Sequence, residues 1–161
     1  GNLRKGLIIM KSKRDNIAEY ILYLWQMEDY LRAFPEQAYR NTELMELFDM
    51  MHQEGVWEQG HLQLAQNALS EMEELHNELV DSEAPYRAVI LHLEPQLNLL
   101  KAKTDCPTMS DVEACLILLY QVMLLRLKQQ PISPETESVV KDATQLLRFL
   151  SKTYLDESNA L

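Results

Sequence analysis

Carboxylate–histidine pairs with a spacing of three residues are the part of this sequence best suited to chemistry. The pairs are Asp49/His52, Glu58/His61 and Glu73/His76. On a helix this spacing places both side chains on one face, as in di-iron carboxylate bundles, where such pairs bind metal. The second and third pairs belong to one predicted helix and lie too far apart along it to build one site. The first and second pairs flank the Glu54-Gly55 turn, so their four residues are the candidates for a metal site.

Glu28 is the second feature that calls for a chemical explanation. It falls within an apolar stripe of helical period, where a carboxylate without a partner is costly. Arg126 occupies a comparable place in a later apolar helix, and a buried pair with good hydrogen bonds is tolerated. We therefore predict a Glu28–Arg126 pair, with Trp25 beside it at a pocket for a small molecule. The alternative partner is Arg32, one turn further along the same helix.

A structural role for this carboxylate is favoured over a catalytic one, because structural ion pairs also perturb pKa values. The sequence contains no Gly-rich phosphate loop, no Gly-x-Ser-x-Gly and no Cys-x-x-Cys spacing. Neither Cys106 nor Cys115 has a base beside it in the sequence. We therefore predict no catalytic residue and no cofactor, and favour a non-enzymatic protein-interaction or scaffold module. The alternatives are a metal-dependent bundle enzyme that uses the carboxylate–histidine pairs, and a small-molecule-binding bundle.

Six helices are predicted to position these residues, from apolar periodicity and from helix start and stop signals. Their bounds run from 12–15 to 34, 36 to 53, 56 or 61 to 80, 82 to 104, 110 to 130 and 133 to 155. Short connections favour antiparallel neighbours, so we predict an all-α fold, a single up-and-down helical bundle of about six helices. One domain spans 1–161, with 1–11 a flexible flank and 156–161 a fraying tail.

The first helix is predicted to be the central or interface helix of this bundle. One of its faces is apolar, and another carries Tyr23, Tyr30 and Phe34. Aromatic side chains outside the core face suit an interface, so we predict that these three residues form a homodimer contact. The alternative is that other helices of the same chain cover them. The fifth helix, apolar around nearly its whole circumference, is predicted to be the most buried helix.

Charge and composition narrow the classes of partner. The chain of 161 residues has 25 acidic and 15 basic side chains, a net charge of -10 that repels nucleic acid and anionic membranes. The sequence lacks a run of about 18 uncharged apolar residues that could span a bilayer. Two cysteines in a chain of this length favour a reducing compartment. We therefore predict an acidic cytoplasmic protein that binds a protein partner or itself, and neither nucleic acid nor membrane.

Several stretches of the sequence are similar to a known family. They are Asn16 to Asp29, Glu54-Gly55, Gly60-His61-Leu62, Leu119-Tyr120 and Leu124 to Lys128. They resemble a bacterial family catalogued as domain of unknown function 4924, and the likeness extends from about Ile8 onward. The resemblance implies a helical cytoplasmic protein. It implies no activity, cofactor or catalytic residue, because none is assigned to that family.

Overall fold

The computed structural model describes residues 13, 15–106 and 108–160. Over these residues the chain forms six α-helices and one 3-10 helix, with no strand, so the predicted all-α fold class is confirmed. The helices are α1 (Ile17–Ala33), the 3-10 helix (Pro35–Arg40), α2 (Thr42–Gln53), α3 (Gln63–Ser82), α4 (Ala84–Lys103), α5 (Asp111–Leu127) and α6 (Pro134–Ala160). The predicted flank 1–11 lies outside the described residues.

The chain divides into two compact units, Gly1–Ser70 and Glu71–Leu161. In the first unit the 3-10 helix packs against α1 and α2, and α1 packs against α2. In the second unit α4, α5 and α6 pack against one another. Within the described part of the chain, no helix is long and apolar enough to cross a membrane. The prediction of one domain over 1–161 stays a prediction.

Side-chain caps and a proline set several helix boundaries. Asn16, Asn41 and Ser110 each accept a hydrogen bond from a backbone amide two or three residues later. Such caps satisfy amides that have no partner inside the helix. Pro35 disfavours helical geometry at Phe34, which ends α1 and starts the 3-10 helix.

The last helix extends further than the sequence predicted. It was expected to end near residue 155, but α6 continues to Ala160, so the predicted tail is helical as far as that residue. The reason is local, because residues 156–160 contain neither proline nor glycine to stop the helix.

Burial is deepest in α1, where ten of 17 residues are buried, against five of 17 in α5. The prediction that the fifth helix is the most buried one is therefore wrong. An apolar circumference shows only that a helix can be covered on all sides, and many apolar side chains of α5 are only half-buried. The helix that carries Glu28 forms the centre of the first unit's core.

Candidate functional site: a clamped loop and an exposed ring cluster

Glu28 is a buried carboxylate whose two oxygens are both hydrogen-bonded within the first unit. Its side chain is 1% exposed. Oε1 lies 2.7 Å from Nδ1 of His61, and Oε2 accepts a hydrogen bond of 2.7 Å from the backbone amide of Leu62. Leu62 is itself buried, so this amide has lost access to water. The carboxylate therefore satisfies a buried donor that would otherwise be costly.

The predicted Glu28–Arg126 pair is corrected by these contacts. Arg126 has its side chain 54% exposed, and it donates to both carboxylate oxygens of Glu137, at 3.1 and 3.0 Å. The alternative partner, Arg32, donates to Asp29 and to backbone carbonyls instead. Helical periodicity indicated which face Glu28 occupies, but its partners lie 33 and 34 residues away, in a loop.

Arg32 binds the same loop one helical turn after Glu28. Its Nε donates to the carbonyl of Trp57 at 2.9 Å, and one terminal nitrogen donates to the carbonyls of Val56 at 2.8 Å and Gly60 at 2.7 Å. The planar guanidinium can serve several acceptors at fixed angles, which an ammonium cannot do. One turn of α1 thus holds residues 54–62 through the carboxylate of Glu28 and the guanidinium of Arg32. This segment is named the clamped loop below.

Two glycines give the clamped loop its path. Gly55 has a φ of +72° and Gly60 a φ of +98°, both in the left-handed region that glycine adopts without strain. Gly55 follows the end of α2, and the amide of Val56 returns to the carbonyl of Met51 at 2.9 Å. This is a glycine-based helix C-terminus, which turns the chain back toward α1.

The clamped loop carries Trp57 into a group of partly exposed rings: Tyr39, Phe48, His52 and Trp57, named the ring cluster below. His52 stacks on Trp57 with ring centroids 4.5 Å apart, and Phe48 meets Trp57 edge-on at 5.0 Å. Phe48 also contacts His52 at 4.4 Å and Tyr39 at 6.3 Å. Tyr39 is 74% exposed and His52 is exposed, so the cluster forms part of the surface of the first unit.

The predicted small-molecule pocket beside Glu28 and Trp25 is filled by the protein itself. His61 stacks on Trp25, with centroids 4.9 Å apart and an angle of 22° between the rings. Trp25 is 4% exposed. The third predicted lining residue, Arg126, is occupied by its surface ion pair with Glu137. The interpretation of these three residues as a pocket is therefore corrected.

The four metal candidates, Asp49, His52, Glu58 and His61, are not gathered into a metal site. His52 stacks on Trp57, and His61 is bonded to Glu28. Over the residues that the structure describes, no group of three or more His, Cys, Asp or Glu side chains could hold a metal ion. The physical reason is that α3 begins only at Gln63, so the second pair lies on a loop rather than on a helix face.

The three residues of the predicted interface differ in their exposure to solvent. Tyr23 is buried in the core, and burial, followed by the charge of Glu43, raises the pKa of its phenol to about 12. No described atom shares a hydrogen bond with that hydroxyl. Tyr30 is half-buried and Phe34 is 50% exposed, with ring centroids 5.5 Å apart. Tyr23 is therefore removed from the predicted interface, whereas Tyr30 and Phe34 stay a prediction.

A second group of buried titratable side chains lies in the second unit. His76 Nδ1 and the hydroxyl of Tyr86 share a hydrogen bond of 2.6 Å. Burial lowers the pKa of His76, raises the pKa of Tyr86, and raises the pKa of the Cys115 thiol to about 12. Each shift favours the neutral form of its group. A thiol held protonated is a poor nucleophile, so this group is typical of a polar core rather than of an active site.

The His76 shift predicts a dependence of stability on pH. Because the folded protein disfavours the imidazolium, the unfolded chain binds more protons below its ordinary pKa of 6.5, and stability falls as the pH drops below that value. The nearby charges of Asp111, Glu73 and Glu94 oppose the shift, and Lys101 adds to it. When urea denaturation is repeated at about pH 7.5 and about pH 5.5, we expect the free energy of unfolding to fall less in His76→Gln than in the wild type. An equal loss in both proteins would contradict the assignment.

The residues of the ring cluster were largely missed by sequence reasoning. One signal was present, since Phe48 and His52 are spaced four residues apart and share a helix face. The position of Trp57 could not be inferred, because it depends on the contacts of Arg32 with the loop backbone. Tyr39 belongs to a 3-10 helix, whereas the sequence pattern places this residue in the first turns of the helix predicted from 36 to 53.

The fold and the site together define an all-α protein in which one buried carboxylate and one guanidinium clamp a ring-bearing loop. A family model described as a domain of unknown function, DUF4924, matches residues 7–42 and 36–160. The chain belongs to this family, as the resemblance of its sequence indicated. No curated protein and no solved structure matches the chain. The family description assigns no activity.

Proposed function

We propose that this protein is a non-enzymatic protein-interaction module, and that its ring cluster binds an extended, positively charged segment of a partner protein. The observation that carries the proposal is that Arg32 holds the backbone of Trp57, while His52 and Phe48 pack against its ring. A ring that is already held in place loses little conformational freedom on binding, so less of the interaction energy is lost to ordering. Aromatic rings exposed as a group are also unusual on a surface that contacts only water.

The charge around the ring cluster favours a basic segment. Asp49 directly follows Phe48, and Glu58 directly follows Trp57, and both carboxylates are exposed. A lysine or arginine side chain over the face of a tryptophan or tyrosine ring is attracted by the electrons of the ring. The net charge of -10 adds a long-range attraction for the same kind of segment.

The shape of the site favours a peptide over a compact ligand. Phe48, His52 and Trp57 contact one another, and Tyr39 of the 3-10 helix extends the cluster beyond Phe48, so an extended chain could contact more than one ring. Arg40, adjacent to Tyr39, is exposed: its charge opposes a basic side chain placed beside it, but its N–H groups can donate to backbone carbonyls of the segment. Since proline-containing segments are extended before they bind, an arginine–proline peptide is a suitable probe.

The test is a titration of a fluorescein-labelled peptide of alternating arginine and proline, followed by fluorescence anisotropy. We expect Tyr39→Ala to weaken binding about fivefold, the equivalent of one exposed cation–π contact. Tyr39 is 74% exposed, so its removal should leave the fold intact.

The matched control is Phe34→Ala, which removes another exposed ring of the first unit that lies outside the cluster. It should bind the probe as the wild type does. Both variants keep the net charge, so a purely electrostatic attraction would give equal affinities for all three proteins. That result, or equal binding of a glutamate–proline peptide, would overturn the proposal.

We also propose a cytoplasmic location for this module. The free thiols of Cys106 and Cys115 support it, because unpaired cysteines persist in reducing compartments. The homodimer contact through Tyr30 and Phe34 remains a separate hypothesis, which a change in the oligomeric state of Phe34→Ala would support.

A further inference from the structure

A positive charge without a partner adjoins the ring cluster at the end where Tyr39 lies. The guanidinium of Arg40 is exposed at the end of the 3-10 helix, and none of the described residues forms a hydrogen bond or an ion pair with it. Arg32 and Arg126, in contrast, donate to acceptors of their own chain. The five N–H donors of Arg40 are therefore available to a partner molecule.

A polar pocket lies beside this guanidinium. It has a volume of about 310 Å³ and is lined by Tyr39, Arg40, Asn41, Thr42 and Met45. Arg40 is the only charged residue of this lining, so the pocket favours an anion over a cation. The acidic residues beside the ring cluster favour the opposite charge, and the two neighbouring sites therefore differ in the ligands that they attract.

Arg40 itself is the group that would hold an anion in this pocket. The backbone amides of Glu43 and Leu44, at the start of α2, already donate to Oδ1 of Asn41 at 2.9 and 3.2 Å. A guanidinium presents its N–H groups in a planar fork that matches the two oxygens of a carboxylate. The single charge of a carboxylate is also repelled less by the net charge of -10 than the nearly double charge of a phosphate. A carboxylate is therefore the ligand that suits the pocket.

The pocket and the ring cluster share Tyr39, so one extended segment can contact both. The rings of Tyr39 and Trp57 are joined through one intervening ring, with centroid distances of 6.3 and 5.0 Å. The exposed carboxylate of Glu58 directly follows Trp57, whereas the guanidinium of Arg40 directly follows Tyr39. Because an extended chain advances about 3.3 Å per residue, roughly two to four of its residues cover the distance between the two charges.

We propose that the partner segment carries both charges: a basic side chain beside Trp57 and, roughly two to four residues away, a carboxylate that binds Arg40. This inference rests on the proposed function, because it adds a second contact to the same peptide. It makes Arg40 a specificity-determining residue, which disfavours a uniformly basic segment and favours one in which a basic and an acidic residue are separated by a short spacer.

The test compares proline-rich, fluorescein-labelled peptides that each carry a single arginine. At a spacing of three residues from it, one peptide has aspartate and the other asparagine, and both are made with this residue before and after the arginine, so that both chain directions are sampled. Fluorescence anisotropy at about 0.15 M salt suppresses the long-range repulsion between aspartate and the acidic protein. In one of the two orders we expect the wild type to bind the aspartate peptide about threefold more tightly than the asparagine peptide, as an exposed ion pair predicts.

Arg40→Glu reverses the charge of the pocket, so it should bind the aspartate peptide about threefold more weakly than the asparagine peptide. The matched control is Lys152→Glu, which makes the same change in net charge at an exposed residue of the second unit. It should keep the preference of the wild type. A wild type that does not prefer aspartate in either order, or an Arg40→Glu protein that keeps the preference, would contradict this inference and leave the proposed function intact. Failure of the arginine–proline peptide to bind would instead contradict the proposed function, and this inference with it.

Discussion

Glu28→Ala is expected to lower the free energy of unfolding by about 2–4 kcal/mol, because a buried donor is left unsatisfied and a second hydrogen bond is lost. The substitution leaves the amide of Leu62 and Nδ1 of His61 without their carboxylate oxygens. Because Leu62 is 1% exposed, water cannot replace the lost acceptor unless the clamped loop opens. Urea denaturation followed by circular dichroism measures this loss.

Two further variants separate the charge from the hydrogen bonds. Glu28→Gln keeps one acceptor oxygen for the Leu62 amide, and its NH₂ group lies where it can hydrogen-bond with the ring of His61, so we expect a smaller loss of about 1–2 kcal/mol. Glu19→Gln is the matched control, since Glu19 is an exposed carboxylate on α1 more than two turns before Glu28. The control should change stability by less than about 1 kcal/mol. A Glu28→Ala protein as stable as this control would show that the buried carboxylate contributes nothing.

Arg32→Lys is expected to cost about 2 kcal/mol and to release the clamped loop while the positive charge is kept. The side chain of Arg32 is only 21% exposed, and it donates to the carbonyls of Val56, Trp57 and Gly60. An ammonium cannot reach all three acceptors from one position. We therefore expect faster hydrogen exchange in residues 54–62 and weaker binding of the arginine–proline peptide.

Arg126→Lys is the control for the loss of a guanidinium. Arg126 makes a surface ion pair, and such pairs contribute about 0–1 kcal/mol. Its replacement should leave both loop exchange and peptide binding unchanged. If Arg32→Lys released the loop but kept full peptide affinity, the clamp would stabilise the fold without positioning the ring cluster.

The helices could be predicted from the sequence because each depends on nearby residues. The apolar stripe of α1, the turn at Glu54-Gly55 and the break at Pro35 all act over one or two turns. The extent of burial could not be predicted in the same way. Helix α5 is apolar on nearly every side, yet its cover depends on how much surface its neighbours supply.

The candidate site was predicted only in part, for a related reason. Glu28 stood out because its position in an apolar stripe conflicts with its charge, and the structure buries it. Its partner was assigned wrongly to Arg126, because periodicity describes helix faces and says nothing about a loop that folds back from residue 61. One of the two donors is moreover a backbone amide, which any residue type at position 62 other than proline would supply.

The exchange rate of the Leu62 amide tests the clamp most directly, since that proton forms the buried backbone link between the loop and the carboxylate of Glu28. In the wild type we expect it to exchange at least about a hundredfold more slowly than its intrinsic rate, and more slowly than the exposed residues 58–60. Glu28→Ala should remove most of this protection. An unprotected Leu62 amide in the wild type, or one that keeps its protection without Glu28, would contradict the clamp.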